Sequence, residues 1–249
     1  MSKVSLFIPC LVDTFVPSIG LATYTILNRL GIETVYREEQ TCCGQPALNA
    51  GYRHHATEAA RRFISIFGDD EVIISPAGSC VYMVKRHYPD LLREDPHWYP
   101  RAIDLATRIY ELSQYLVDVL GVTDVGARYE GKITYHESCH ILRGLGISQQ
   151  PKKLLSAISG AEVVPLFAAE MCCGFGGEFA ERYHYISEEM VKDKVNNFVA
   201  SGADVLVTCE PGCYLNIKGY LHRQKIEKAV VHLAHLLAGP EFLRGENEN

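Results

Sequence analysis

The nine cysteines of this 249-residue chain fall into two copies of one pattern, each built around an adjacent pair followed by glycine. The first copy is Cys10, Cys42, Cys43 and Cys80, with Cys42-Cys43-Gly44 at its centre. The second is Cys139, Cys172, Cys173, Cys209 and Cys213, with Cys172-Cys173-Gly174 in the same place. An adjacent pair rarely closes a disulfide on itself, because the geometry strains the intervening peptide. Adjacent thiols repeated with distant partners are what a soft metal or an iron–sulfur cluster asks of a fold.

Other cysteine chemistries account for less of the pattern. Structural zinc usually draws on cysteines a few residues apart, and only Cys209 and Cys213 are so spaced. Zinc stays open as an alternative, chiefly in the four-cysteine first copy. Disulfides need an oxidising compartment. The apolar run before Pro9 is too short for a signal peptide and Asp13 follows closely, so a cytoplasmic location with reduced thiols is expected. A cysteine-protease reading uses one thiol and leaves the rest unexplained.

Several neighbours of the thiols have chemistry of their own. His136 and His140 flank Cys139, and either has the means to ligate, donate a proton or pack. Glu137 and Glu178 are candidate proton carriers, although a helix dipole favours first-turn carboxylates anyway. His54 and His55 read as solvated, and His232 and His235 as residues of a C-terminal helix with no role. In Cys172-Cys173-Gly174-Phe175-Gly176-Gly177 the glycines permit close backbone approach, and their N–H groups suit cluster sulfurs. The spacing is not that of a dinucleotide-binding loop.

The elements that must position these residues repeat as well. Lys3 to Cys10 aligns without gaps with Lys132 to Cys139, and Glu71 to Cys80 with Asp204 to Cys213. Pro76 then stands where Cys209 stands. Repetition at about half the chain length implies duplication of one unit. Each unit reads as strand–helix three times. Strands are expected at 3–9, 33–37 and 71–75, and near 132–136, 162–166 and 204–208. A helix opens at Pro17 and stops at Gly31. A second buries Ala56, Ala59, Ala60, Phe63, Ile64 and Phe67, and the corresponding later helix turns Tyr183, Ile186, Met190, Val191, Val195 and Phe198 inward. This alternation predicts an α/β fold of two pseudo-symmetric units of parallel strands flanked by helices. The boundary is expected in Gly121–Gly131, giving units 1–125 and 126–249. All nine cysteines then lie at or just after strand carboxyl ends, where such sheets bind ligands, so each copy forms one site and two sites are expected.

Net charge is −6 and the pI about 5.9, with no Lys/Arg block, which argues against nucleic acid as a partner. No apolar stretch approaches the ~20 residues of a membrane span. The insertion from Tyr88 to Pro100 is expected to pack on the body through Trp98, and the polar tail Gly245–Asn249 to be disordered.

The two cysteine patterns, with Ser75-Pro76-Ala77-Gly78-Ser79-Cys80 and Leu215-Asn216-Ile217, resemble the cysteine-rich CCG domain found in heterodisulfide reductase and in the iron–sulfur component of glycolate oxidase. Over nearly its full length the chain is similar to the lactate utilisation protein A family, short members with two CCG units. The resemblance implies an iron–sulfur subunit of a multi-subunit system oxidising L-lactate to pyruvate, not active alone and with no catalytic residue of its own assigned. It implies clusters of 4Fe-4S or non-cubane type. Metal ligands would be Cys10, Cys42, Cys43 and Cys80 in one unit and Cys139, Cys172, Cys173 and Cys213 in the other, with Cys209 a fifth cofactor-binding residue. The first unit, short of one thiol, is expected to bind metal less tightly. The chain has no ferredoxin cysteine run and no flavin or nicotinamide fingerprint, so a ferredoxin-type subunit and further subunits are expected partners. Phe175 and Tyr214 would then dock the partner or shield the cluster. The alternatives are a thiol/disulfide redox enzyme like heterodisulfide reductase and a zinc-stabilised assembly scaffold.

Overall fold

The computed structural model describes residues 3–244, which form two four-stranded sheets with every strand pair parallel. The first sheet has order β2-β1-β3-β4 and the second β6-β5-β7-β8. The first half runs β1 (Lys3–Leu6), α1 (Cys10–Phe15), α2 (Pro17–Arg29), β2 (Glu33–Tyr36), α3 (Gln45–Asn49), α4 (Arg53–Phe67), β3 (Ile73–Ser75) and α5 (Gly78–Tyr82). It continues through α6 (Tyr88–Leu91), α7 (Trp98–Arg108), β4 (Ile109–Glu111) and α8 (Leu112–Gln114). The second comprises β5 (Arg128–Tyr135), α9 (Gln149–Ser156), β6 (Ser159–Val163), α10 (Glu178–Arg182), α11 (His184–Ala200), β7 (Val205–Thr208), α12 (Pro211–Arg223), β8 (Ala229–His232), α13 (Leu233–Ala238) and α14 (Glu241–Arg244). The tail from Gly245, expected to be disordered, lies outside the described residues. Among the described residues no helix is long and apolar enough to cross a membrane.

Local chemistry accounts for most of these elements. Strands β3 and β7 are buried along their whole length, as parallel strands covered on both faces must be. Helix α2 opens on Pro17, and the chain leaves it through Gly31 at φ +74. Helix α4 buries Ala56, Ala60, Phe63, Ile64 and Phe67, and Phe7 meets Phe63 edge-on at 4.8 Å. Trp98 packs against the core cluster that holds Phe7, Phe63 and Phe67, with Arg101 over its ring at 4.9 Å.

Three expectations need correcting. Each half has four strands, not three. Strands β4 and β8 are only three and four residues long, too short to show a period. Strand β5 begins at Arg128, ahead of the 132–136 expected for it. On α11, Val191, Val195 and Phe198 are buried, but Tyr183 and Ile186 are exposed, and Ser187 and Lys194 turn inward instead. The reason is local. The second Cys-Cys-Gly turn lies against Ser187, and Lys194 Nζ donates to the carbonyls of Ala168 (2.7 Å) and Ala169 (3.1 Å).

The halves are joined by packing and by buried polar links. Helix α13 lies on α2, so the end of the chain covers its beginning. Arg29 donates to the carbonyls of Val125 and Leu237, both at 3.2 Å. His232, the residue before α13 and fully buried, donates from Nε2 to the Pro76 carbonyl at 3.0 Å, while its Nδ1 accepts from the Ala234 N–H at 3.1 Å. Only a neutral imidazole satisfies both, and burial lowers its pKa to about 4.

A histidine with a depressed folded-state pKa stabilises fully above its unfolded value near 6.5, and that contribution is lost as pH falls toward the folded value. For His232 the loss reaches about 2 kcal/mol by about pH 5. Buried His235, lowered by burial to about 3, acts in the same direction. Urea unfolding of the metal-free protein should therefore show a falling stability from pH 7 to 5, and His232→Gln should flatten that fall by about 2 kcal/mol. An unchanged slope in the variant removes His232 from the account.

Candidate metal centre

The cysteines sit where the two sheets end. Cys10 begins α1 directly after β1, and Cys139 follows β5. The Cys-Cys-Gly turns come after β2 and β6, Cys80 lies in α5 after β3, and Cys213 lies in the first turn of α12 after β7. In a strand order of 2-1-3-4 the winding reverses between the first and third strands, and open parallel sheets bind ligands at that reversal. The sequence predicts two sites, one per reversal. The structure makes them neighbours: Cys10, Cys42, Cys43, Cys80, Cys139, Cys172, Cys173 and Cys213 all line one cavity of about 160 Å³.

All nine thiols are free. Cys10 and Cys42 Sγ atoms are 3.6 Å apart, Cys43 and Cys80 3.3 Å, and Cys173 and Cys213 3.0 Å. These separations are well beyond the ~2.05 Å of a disulfide. Among the eight thiols that line the cavity, each copy has two buried ones (Cys43 and Cys80; Cys173 and Cys213) and two half-buried ones (Cys10 and Cys42; Cys139 and Cys172).

The same backbone device builds both turns. Gly44 has φ +85 and Gly174 φ +86, a conformation that L side chains rarely adopt. A Cβ on Gly44 would come within 2.8 Å of Ala59 Cβ, and one on Gly174 within 2.6 Å of the Ser187 carbonyl. So shaped, each turn aims the glycine N–H at the sulfur two residues back, at 3.4 Å from Cys42 and 3.4 Å from Cys172. The carbonyl of the second cysteine is then held from outside. Tyr88 Oη donates to Cys43 at 2.8 Å, and Asn216 Nδ2 to Cys173 at 2.8 Å. Tyr88 lies in the insertion and has no counterpart to flag it. Asn216 stands out in the sequence only as part of a family-like motif.

These contacts separate the thiols electrostatically. Hydrogen bonds from Cys10 and then Cys43, helped by the Gly44 N–H, hold Cys42 well below the usual thiol range. Cys139, then Cys173 and the Gly174 N–H, do the same for Cys172. The donating thiols Cys10 and Cys139 are pushed up, as are Cys43 and Cys173. A hydrogen bond from Cys173 also lowers Cys213, to about 6. The first copy thus presents one thiolate and the second two in advance of any metal, the form in which sulfur ligates.

Cys209 stands apart. It is buried but does not line the cavity; Tyr135 Oη donates to its Sγ at 3.5 Å, and burial raises the thiol well above its usual value. The next residue, Glu210, does line the cavity, and its carboxylate accepts from the Ser79 N–H and hydroxyl, both at 2.8 Å. Burial pushes its pKa up. Sequence reasoning missed this carboxylate, because its partner belongs to the other half.

The remaining candidates divide clearly. His136 is buried, with Nδ1 3.2 Å from the Ala169 carbonyl. His140 lines the cavity and stacks on Tyr82 at 5.4 Å. Glu137 pairs with Lys152, Glu178 pairs with Arg182 at 2.7 Å, and neither lines the cavity. His54 and His55 are exposed. Phe175 lines the cavity against Gly212, whereas Tyr214 is buried and so presents no docking surface, contrary to one of its expected roles.

A family model for the cysteine-rich CCG domain matches residues 4–85 and 133–218. The chain is 47% identical over 239 residues, 95% of its length and 97% of the relative's, to lactate utilization protein A of an Exiguobacterium species. It is also 47% identical to the Bacillus subtilis protein of that name, over 94% of this chain and 98% of that one. Among solved structures, a hypothetical protein from Helicobacter pylori shares the fold at a TM-score of 0.65 and 13% identity, covering 100% of this chain and 49% of that one.

The close approach at Gly174 is testable. Gly174→Ala should lose more than the ~1–2 kcal/mol of left-handed strain, because the added Cβ also meets the Ser187 carbonyl. Gly202→Ala, at φ +72 with nothing within 4 Å of a Cβ, should lose only the strain. Equal losses in urea unfolding would show that the turn has room to spare.

Proposed function

This chain belongs to the cysteine-rich CCG family, in its lactate utilization protein A group, and on that premise we propose that it serves lactate utilisation as an iron–sulfur redox subunit. The observation that carries this reading is the convergence of eight free thiols from both halves on one cavity. At about 160 Å³ the cavity far exceeds the ~10–15 Å³ that admits one water, which favours a multi-atom group over a lone zinc in a closed tetrahedron. Cys10, Cys42, Cys43 and Cys80 would hold one such group, and Cys139, Cys172, Cys173 and Cys213 another. An iron–sulfur group supplies electron storage at a potential tuned by charge and hydrogen bonds.

The chain's own residues do the rest. Gly44 and Gly174 donate to the sulfurs of Cys42 and Cys172. Pro9, Pro46 and Phe175 give the cavity an apolar wall against water, and the half-buried thiols lie nearest the solvent, where electrons enter and leave. Oxidation of lactate to pyruvate releases two electrons and two protons. With no flavin, nicotinamide or ferredoxin motif in this sequence, other subunits must accept the hydride equivalent and relay the electrons. The shared cavity also favours a second reading, in which a small thiol or disulfide reacts between the two cysteine sets.

Iron and acid-labile sulfide assays on anaerobically prepared protein test the first reading. Both should be present in the full chain, and Cys173→Ser should lose about half, since serine replaces thiolate poorly. Cys209→Ser should keep its full load and visible spectrum; loss of iron there would restore Cys209 as a ligand. Zinc without sulfide would mean a scaffold.

Partnership has its own test. The isolated chain should not reduce an artificial acceptor with L-lactate, while a complex with a ferredoxin-type subunit should. Robust turnover by the chain alone would overturn the subunit reading. Oxidation of the reduced chain by a disulfide would favour the second.

A further inference from the structure

The His136 ring is fully buried, and its two nitrogens are in different situations. A carbonyl oxygen only accepts, so the contact with Ala169 O at 3.2 Å places the ring proton on Nδ1. In the neutral ring the lone pair is then on Nε2. No nitrogen or oxygen atom pairs with that nitrogen, and it faces the Cys213 thiol. It lies with the Sγ atoms of Cys173 and Cys213 in a group whose ligating atoms are all within 4.8 Å of one another. A buried imidazole lone pair met only by thiols is poorly satisfied by hydrogen bonding, and three donors so placed suit a metal.

We propose that His136 is a metal ligand, joining Cys173 and Cys213 through Nε2 in a mixed imidazole–thiolate site that the first half lacks. Ligating histidines typically donate their other N–H to a carbonyl or carboxylate, as Nδ1 does here. The carbonyl is itself fixed: Ala169 O also accepts from the Glu137 N–H at 3.1 Å and from Lys194 Nζ at 3.1 Å. Lys194 is buried and reaches the Ala168 carbonyl as well, at a residue held at φ +49. An alanine in that conformation persists only when its surroundings impose it. Lys194 thus ties down the loop that carries this carbonyl.

The duplication makes the asymmetry explicit. In the gap-free alignment Phe7 occupies the place of His136, and it is buried against Phe63 and Phe67. The expected difference in metal affinity between the halves then rests on His136, not on Cys209. A neutral imidazole as the fifth ligand, instead of a Cys209 thiolate, leaves the centre with one negative charge fewer than five thiolates would give, which raises its reduction potential.

The inference rests on the proposal that these thiols hold metal, and the experiment separates the two. The full chain carrying nitrogen-15 histidine is loaded anaerobically with iron and sulfide, and its paramagnetic state is examined by pulsed electron paramagnetic resonance. A coupling from one directly bound imidazole is expected in the wild type and in His140→Gln, and not in His136→Gln or His136→Phe. Its survival in the folded His136 variants, or its absence from a wild type with full iron and sulfide, overturns the assignment. A chain that takes up no iron and sulfide defeats the proposed function instead. Co2+ alone is then loaded and given the same measurement, where the coupling supports the ligand and its absence overturns it, and failure to bind Co2+ also overturns the ligand.

Discussion

The thiol-lined cavity belongs to neither sheet, so everything about the site depends on how firmly the two halves are held face to face. That contact is not left to apolar packing alone. Glu210 reaches from the loop after β7 to the start of α5, His232 reaches from β8 to Pro76, and Arg29 ties α2 to the carbonyls beneath α13. These links are buried or partly buried, where an unmade hydrogen bond is expensive, so they resist the sliding that packing by itself would tolerate. A small shift between the sheets would separate Cys80 from Cys213 while leaving each sheet intact.

Within each half the strand order supplies the convergence. Three loops, after the first, second and third strands, meet where the winding reverses, and each delivers thiols to the same edge. The Cys-Cys-Gly turn adds a second layer of definition. Its left-handed glycine lets adjacent side chains diverge, one half-buried and one buried, and still gives the outer sulfur a backbone donor. Tyr88 and Asn216, unrelated in type, meet the same need of the buried cysteine's carbonyl. Two copies of one unit have thus kept the backbone device and diverged in the side chains supporting it.

The divergence is concentrated at the site. Phe7 faces His136, Ala77 faces Glu210 and Pro76 faces Cys209 across the internal alignment. Each exchange puts a polar group in the second half where the first is apolar. A buried carboxylate and imidazole next to four of the eight thiols give that side a different charge environment, and sulfur centres respond to charge and hydrogen bonding. On the proposed iron–sulfur reading, two chemically distinct cysteine sets sharing one cavity would suit a directed transfer of electrons better than two equal ones.

The sequence by itself determined a great deal of this. The repeated cysteine spacing fixed which residues matter, the matched strand segments fixed a duplicated parallel α/β fold, and the Cys-Cys-Gly runs marked the turns. Pro17 and Gly31 bounded α2, and periodicity located α4, which has one apolar face against its core. For α11 periodicity placed Val191, Val195 and Phe198 but missed Ser187 and Lys194, which are turned inward by a glycine turn and by loop carbonyls, neither of which leaves a periodic trace. Strands β4 and β8 were hidden by their brevity. Only the tertiary structure decided that two cysteine copies line a single cavity, that Cys209 is turned toward Tyr135 and away from it, and that Glu210 and His136 are its polar neighbours. A strand's carboxyl end predicts where a loop begins, but not where a side chain points. The shared cavity and the Glu210–Ser79 contact follow from how the two sheets pack, whereas the settings of Cys209 and His136 follow from how neighbouring loops of the second sheet meet.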